Sequence, residues 1–366
     1  MLLSQFETFP AVYAVGKNYQ IMVSVTRPVV MWVRVGDKNF YDDSNGILRS
    51  ACTTHRMIVP MELLDVAGEY TICFREVYDR KPYFAELSDV MEYTRAFRPV
   101  KEDGVIHIYH IADAHNKVQE PVAAGNYFGD ALDLLVLNGD IPNHSGKLEY
   151  FTAIHEIAGN ITKGEIPVIF SRGNHDMRGI YAEKLEEYVP TDCGRSYYTF
   201  RLGRIWGMVL DCGEDKRDDN EEYGHTVCCE DFRCRQTEFI RNVIANAKDE
   251  YEAEGVKNRI VICHYPFTDT LKFPFDIEVE LFTQWARLLR ENVKPQLLLF
   301  GHMHEAYVSH PGDEHDKKGQ PCAAIVASEV RKDAFLGGAI ELDYDRCTVK
   351  FTDTEGVIKT QEEIIF

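Results

Sequence analysis

The sequence predicts an α/β (α+β) fold preceded by a small β-sandwich, on three observations. Residues 1–100 carry short runs rich in Val, Ile, Tyr and Met, broken by turn signals. From residue 105 onward, apolar strand-like runs alternate with segments of helical periodicity. Beyond His310 the pattern returns to β.

In the leading part, residues 19–26, 29–35, 55–59 and 70–77 read as strands, because β-branched and aromatic side chains suit a pleated, half-buried surface. Gly16-Lys-Asn, Gly36-Asp-Lys and Asp43-Ser-Asn-Gly46 punctuate them. Short strands at regular spacing suggest a sandwich. The run 63–70, Leu-Leu-Asp-Val-Ala-Gly-Glu-Tyr, resembles the approach to the tyrosine strand of fibronectin type III domains. Residues 97–104, with a proline, charges and a closing glycine, read as a linker. The expected division is therefore a β module over 1–100 and a second domain over 101–366.

In the second part the strands are 105–111, 134–137, 168–170, 205–210, 260–262 and 297–300. Between them Phe151, Ile154, Ile157, Ala158 and Ile161 recur at helical spacing. So do Phe239, Ile240, Val243 and Ile244, and later Leu281, Trp285, Leu288 and Leu289. Residues 323–327, 339–342 and 348–351 read as further strands, and the acidic run 214–222 as a solvated loop.

The net charge is −19, from 59 acidic against 40 basic residues. Polynucleotide binding rests on Lys and Arg contacts to phosphates, so a broad nucleic-acid surface is not expected. An anionic substrate remains compatible, because bound divalent ions invert the local charge. No basic segment followed by an apolar core opens the chain, and no apolar run approaches the roughly 18 residues of a membrane span. A cytoplasmic location without membrane contact is expected. The ten cysteines are scattered and read as reduced thiols. Cys228, Cys229 and Cys234 cluster, but without the C-x-x-C spacing of a zinc site.

The chemistry concentrates where strands end. Five of them run into Asp113-Ala-His115, Gly139-Asp140, Gly173-Asn-His-Asp176, Cys263-His264 and Gly301-His-Met-His304. Open α/β sheets bind ligands beyond the carboxyl ends of their strands, so these tips are expected to converge. On a continuing strand, the i, i+2 pairs Asp113/His115 and His302/His304 would each face one side. Carboxylates, imidazoles and one amide oxygen, without thiolate, suit Mn, Fe, Co, Ni or Zn. Asp113, His115, Asp140, Asn174, His264, His302 and His304 are too many donors for one tetrahedral ion. They suit two ions that share a carboxylate.

The order D-x-H, G-D, G-N-H-D, H, G-H-x-H resembles that of the calcineurin-like metallophosphoesterases, over roughly residues 105 to 305. The β module in front looks like the layout of purple acid phosphatases. The resemblance implies two packed mixed β-sheets with helices outside. It implies that Asp113, His115 and His304 hold one ion, that Asn174, His264 and His302 hold the other, and that Asp140 bridges them. His175 would be the catalytic histidine, and Arg172 would match the phosphate-binding arginine of the R-G-N-H-[ED] form.

The departures bear on mechanism. Asn143 stands where purple acid phosphatases have a ligand tyrosine and where protein phosphatases have an aspartate paired with the catalytic histidine. Asp176 is then the candidate to orient His175. Asn143, His144 and His225 are candidate substrate contacts; His107, His110 and Tyr265 read as packing. The implied function is hydrolysis of phosphate esters, with a metal-bridging hydroxide as nucleophile and His175 as general acid. The substrate is expected to be a small molecule, with monoester against diester left open. A nuclease or a non-catalytic scaffold is the competing reading. The β module could add binding or homo-oligomer contacts.

Overall fold

The computed structural model describes residues 1–331 and 334–366. Three strands at its centre, Ile106–Ile111, Leu134–Asn138 and Pro167–Ser171, are buried along almost their whole length, and the last two are nearly all apolar. Continuous apolar runs are what parallel strands need when both faces are covered. They pair in parallel, with Ile108 opposite Leu134 and Leu135 opposite Val168.

A second sheet runs in the order Tyr198–Leu202, Ile205–Leu210, Asn258–Cys263, Leu297–Phe300, Ala323–Val326, Tyr307–Ser309. The facing sides of the two sheets share one core, in which Ile108, Val136 and Ile169 lie with Val209, Ile262 and Leu299. Helix Glu149–Thr162 covers the outside of the first sheet with Phe151, Ile154, Ile157 and Ala158. Helices Cys229–Ala245 and Val279–Leu288 cover the second with Ile240, Val243, Phe282 and Trp285. The architecture is the expected two-sheet sandwich flanked by helices. None of the described helices is long and apolar enough to cross a membrane.

The leading residues differ from the expected self-contained module. They do make two layers, but one layer belongs to the central sheet. Strand Ala11–Val15 pairs in parallel with Pro167–Ser171, placing Tyr13 opposite Val168. Asn18–Ser24 and Thr54–Pro60 follow it antiparallel. Among the described residues the larger sheet therefore has ten strands. It runs from Ile358–Ile365 through Arg346–Thr352, Ala334–Leu342 and Ile106–Ile111 to Thr54–Pro60, with Glu329–Arg331 paired to Ala334–Leu342. The other layer is the sheet Met91–Ala96, Glu69–Asp79, Val29–Val35, Lys38–Tyr41, whose Val33, Ile72 and Phe74 pack with Ile21, Val23 and Met57.

Main-chain hydrogen bonds thus cross the expected boundary at residue 100. The first strand, AVYAV, is buried at every position, as a strand covered on both faces must be, and it was not among the strands expected from the sequence. Tyr70, the tyrosine of the fibronectin-like run, also reaches across: its hydroxyl donates to the Gly164 carbonyl at 2.9 Å, just past the helix Glu149–Thr162.

Candidate metal centre

The strands Ile106–Ile111 and Leu297–Phe300 stop before the pairs Asp113/His115 and His302/His304 that follow them. Asp113, His115, His302 and His304 are therefore not carried by strand alternation, as the i, i+2 spacing suggested. Each instead has a left-handed backbone, with φ of +55°, +46°, +70° and +53°. Asp140 (+53°) and Asn116 (+65°) do the same. Such residues cost about 1–3 kcal/mol each and persist only where the surroundings hold them. Their clustering at one place marks a functional site by strain as well as by residue type.

Main-chain contacts supply the hold. The Asp113 N–H donates to the Gly139 carbonyl at 3.0 Å, and the His115 N–H to the Asp140 carbonyl at 3.0 Å. Across the two sheets, the His302 N–H donates to Asp113 Oδ2 at 2.9 Å. Two glycines permit the closest approach. A Cβ on Gly139 would lie 2.6 Å from His264 Nδ1, and one on Gly173 would lie 2.2 Å from Asp140 Oδ1. Only glycine leaves room for both loops.

The seven donors come together as two overlapping groups. Asp113 Oδ1 lies 3.3 Å from His304 Nε2 and 4.0 Å from His115 Nε2. His264 Nε2 lies 3.2 Å from Asp140 Oδ2 and 3.7 Å from Asp113 Oδ1. Asn174 Oδ1 is 3.0 Å from His302 Nδ1, and His302 groups with Asp140 and His264. Asp140 also groups with His115, so it stands between the two sets.

The surplus of carboxylate charge favours a cation here. Burial lowers the pKa of His115 and of His302 to about 4, leaving neutral rings with a free lone pair. Burial also disfavours the His264 cation, yet Asp140 and Asp113 outweigh it and raise that ring to about 10. Against its own burial, Asp140 is held well below the ordinary carboxylate range by His264, His175 and His115. His264 Nδ1 sits 2.7 Å from the Asn138 carbonyl, which can only accept, so Nε2 is the nitrogen turned to the carboxylates. Among the described residues, Asp113 Oδ1 and His264 Nε2 are buried without a hydrogen-bond partner. Buried polar atoms left unpaired are costly, and cations held by the two groups would satisfy one atom each. The donor set therefore fits divalent metal.

His175 stands at the open side. Its Nδ1 lies 2.8 Å from the Asn143 carbonyl, an acceptor only, so Nδ1 carries the proton and Nε2 faces the cluster, 3.9 Å from Asp140 Oδ2. Asn143 thus orients His175 through its main chain, which no side-chain comparison could show. Asp176, the expected orienter, does not: its Oδ2 accepts from the Gly173 N–H at 2.6 Å and the Asp140 N–H at 3.2 Å. Burial and the Asp140 charge raise Asp176 to about 8. It braces the Asp140 turn and the Gly173-Asn174 turn against each other.

The remaining candidates fall elsewhere. Arg172 is turned to Asp211 Oδ2, 2.5 Å away, and lies over the Phe232 ring. His144 accepts from the Gly146 N–H at 2.9 Å and packs on Tyr150. His225 is exposed, and its loop reaches the site through Tyr223 and Glu222 instead. The residue missed from the sequence is Arg178, three positions after His175, with Nη1 3.3 Å from His175 Nε2. A second arginine in the same short stretch was the available signal.

The acidic run is a solvated loop only in its second half, where Arg217, Asp219, Glu221 and Glu222 are exposed. Glu214, Asp215 and Lys216 are buried, and Glu214 and Asp215 hold Arg178 at 2.9 and 3.1 Å. Cys228, Cys229 and Cys234 are free thiols and make no metal-binding group among the described residues.

A sequence profile of the calcineurin-like phosphoesterases matches residues 106–306. Among solved structures, the purple acid phosphatase PPD1 of yellow lupin (Lupinus luteus) is similar at a TM-score of 0.59 and 12% identity, covering 98% of this chain and 74% of that one. PhoD is similar at a TM-score of 0.58 and 10% identity, covering 98% of this chain and 90% of that one. At such identities the likeness is one of fold. A search of curated protein sequences finds no match.

Proposed function

The chain belongs to the calcineurin-like phosphoesterase family and is a metal-dependent phosphoesterase; from that premise we propose a dinuclear hydrolase of small phosphate esters with His175 as its proton donor. The observation that carries this reading is the pair of orphaned buried atoms, Asp113 Oδ1 and His264 Nε2, 3.7 Å apart amid five further donors. Asp113, His115 and His304 would hold one ion, Asn174, His264 and His302 the other, with Asp140 between them. Bound there, two divalent ions supply Lewis acidity and a water acidic enough to attack phosphorus near neutral pH. Mn, Fe, Co, Ni and Zn all suit the donors. Asn143 offers no phenolate, so the iron-phenolate colour of purple acid phosphatases is not expected.

The chain's own residues do the rest. As an imidazolium, protonated on both nitrogens, His175 would give the Nε2 proton to the departing ester oxygen and return to the neutral ring whose Nδ1 stays bonded to Asn143. Arg178 presents Nη1 beside that nitrogen, where it can hold a phosphoryl oxygen and stabilise charge that builds there. The His175 N–H donates to Asp140 Oδ1 at 2.8 Å and keeps the bridging carboxylate in register with the acid.

The test is hydrolysis of a panel of phosphate mono- and diesters by purified protein loaded in turn with Mn, Fe, Co, Ni and Zn, with bound metal measured alongside. Turnover that requires two ions per chain is expected. A protein that binds fewer than two ions of every metal, or hydrolyses no ester while carrying two, would refute the proposal.

A further inference from the structure

The loop that follows strand Ile205–Leu210 carries Asp215, a carboxylate only 5% exposed. Four donors meet it: Tyr223 Oη at 2.8 Å, Arg178 Nη2 at 3.1 Å, Lys216 Nζ at 3.2 Å and Asn174 Nδ2 at 3.4 Å. Two of these belong to the residues with most to do at the centre.

Asn174 matters because its amide has unlike ends. Nδ2 only donates and Oδ1 only accepts, so a metal takes the oxygen and not the nitrogen. With Nδ2 turned to Asp215, Oδ1 is left 3.0 Å from His302 Nδ1, on the side where the proposed ligands gather. A half-turn of the amide would set its oxygen against the Asp215 carboxylate and its NH₂ toward the ligands. Two acceptor oxygens repel, so the carboxylate excludes that arrangement.

The same carboxylate fixes Arg178. Asp215 and Glu214 together take Nη2 and Nε, which leaves Nη1 directed at His175 Nε2. Tyr223, on the returning side of the loop, closes it by accepting from the Lys216 N–H at 3.0 Å while donating to Asp215.

We propose that Asp215 is the positioning residue of this centre, holding Asn174 with its oxygen toward the metals and Arg178 beside His175. This rests on the dinuclear reading above. It gives the acidic loop a role that its composition does not suggest.

The experiment measures equilibrium Mn²⁺ binding per chain across free-metal concentrations, for wild type, Asp215→Asn and Asp215→Ala, with thermal melting of each. Removing an outer partner of a metal ligand typically costs about 10- to 100-fold in affinity. One of the two ions should weaken by about that factor, towards the lower end in Asp215→Asn, which keeps one acceptor oxygen, and the upper end in Asp215→Ala. The other ion should be unaffected. Asp215→Asn keeps the side-chain volume and decides the matter if Asp215→Ala does not fold. Folded variants that bind both ions as tightly as wild type overturn the positioning role, even if they melt at lower temperature. A wild-type chain that itself binds fewer than two ions refutes the dinuclear reading and this role with it; two ions in wild type with unchanged variants refutes this role alone.

Discussion

His175→Ala should separate substrates by leaving group. The structure makes the variant interpretable. The side chain is 28% exposed and its ring hydrogen bonds are Nδ1 to the Asn143 carbonyl and the 3.3 Å contact of Nε2 with Arg178, so truncation leaves little strain behind. The bond that steadies Asp140 comes from the His175 main chain and survives in alanine. General acid help is worth about 10²- to 10⁴-fold, or roughly 3–5 kcal/mol of barrier. An alkyl phosphate, whose alkoxide leaves badly, should lose that whole factor. A nitrophenyl phosphate needs little protonation and should lose about 10-fold or less, roughly 1.4 kcal/mol. The assay is kcat/KM on both esters at saturating metal, with metal content measured on the same samples. Equal losses on the two esters, together with lost metal, would refute the argument and make His175 a ligand, since its Nε2 lies within 4 Å of Asp140 Oδ2.

The two arginines of the SRGNHDMRG stretch should part in their effects. Arg178→Ala should lower kcat/KM by roughly 10- to 100-fold, the worth of one charged hydrogen bond of about 1.5–3 kcal/mol, whereas Arg172→Ala should leave KM unchanged and destabilise by about 1–3 kcal/mol through the lost ion pair with Asp211, which keeps its bonds from Ser196 and Gly213; steady-state kinetics and denaturant melts distinguish them. Gly173→Ala sets a Cβ 2.2 Å from Asp140 Oδ1, so metal binding and activity should both collapse, which metal analysis of the folded fraction would show. Stability should also depend on pH through His155, away from the proposed metal centre. It is fully buried between Tyr13 Oη and the Tyr188 carbonyl, and burial lowers its pKa to about 4 from 6.5. A depressed histidine contributes stability present above pH 6.5 and lost as pH falls towards 4, about 3 kcal/mol in all. His155→Gln should flatten that part of the profile in urea midpoints measured from pH 7 to pH 4.5; an unchanged slope would refute the assignment.

Much of the site was legible along the chain because metal chemistry constrains residue type locally. Asp113, His115, Asp140, Asn174, His264, His302 and His304 each follow an apolar run, and those runs are strands in the structure. The order of these motifs also sufficed to place the chain in its family, and the switch from turn-broken strands to alternating helices and strands identified the fold class. These are properties of short segments, set by periodicity and by donor chemistry.

What tertiary structure alone decided concerns partners distant in sequence. The pairing of Ala11–Val15 with Pro167–Ser171 joins residues more than 150 positions apart, and five apolar residues in a row do not say which strand they will meet. Arg172 and Arg178 share one side-chain chemistry, and only the positions of Asp211 and Asp215 sent them to different places. Asp215 itself looked like one charge in a solvated run until Asn174, Arg178 and Tyr223 closed around it. Nor could residue types assign the orienter of His175, because a main-chain carbonyl is present at every position and only the fold selects the one at Asn143. Donor identity is written in the sequence; the direction in which each donor points is set by the contacts that folding supplies.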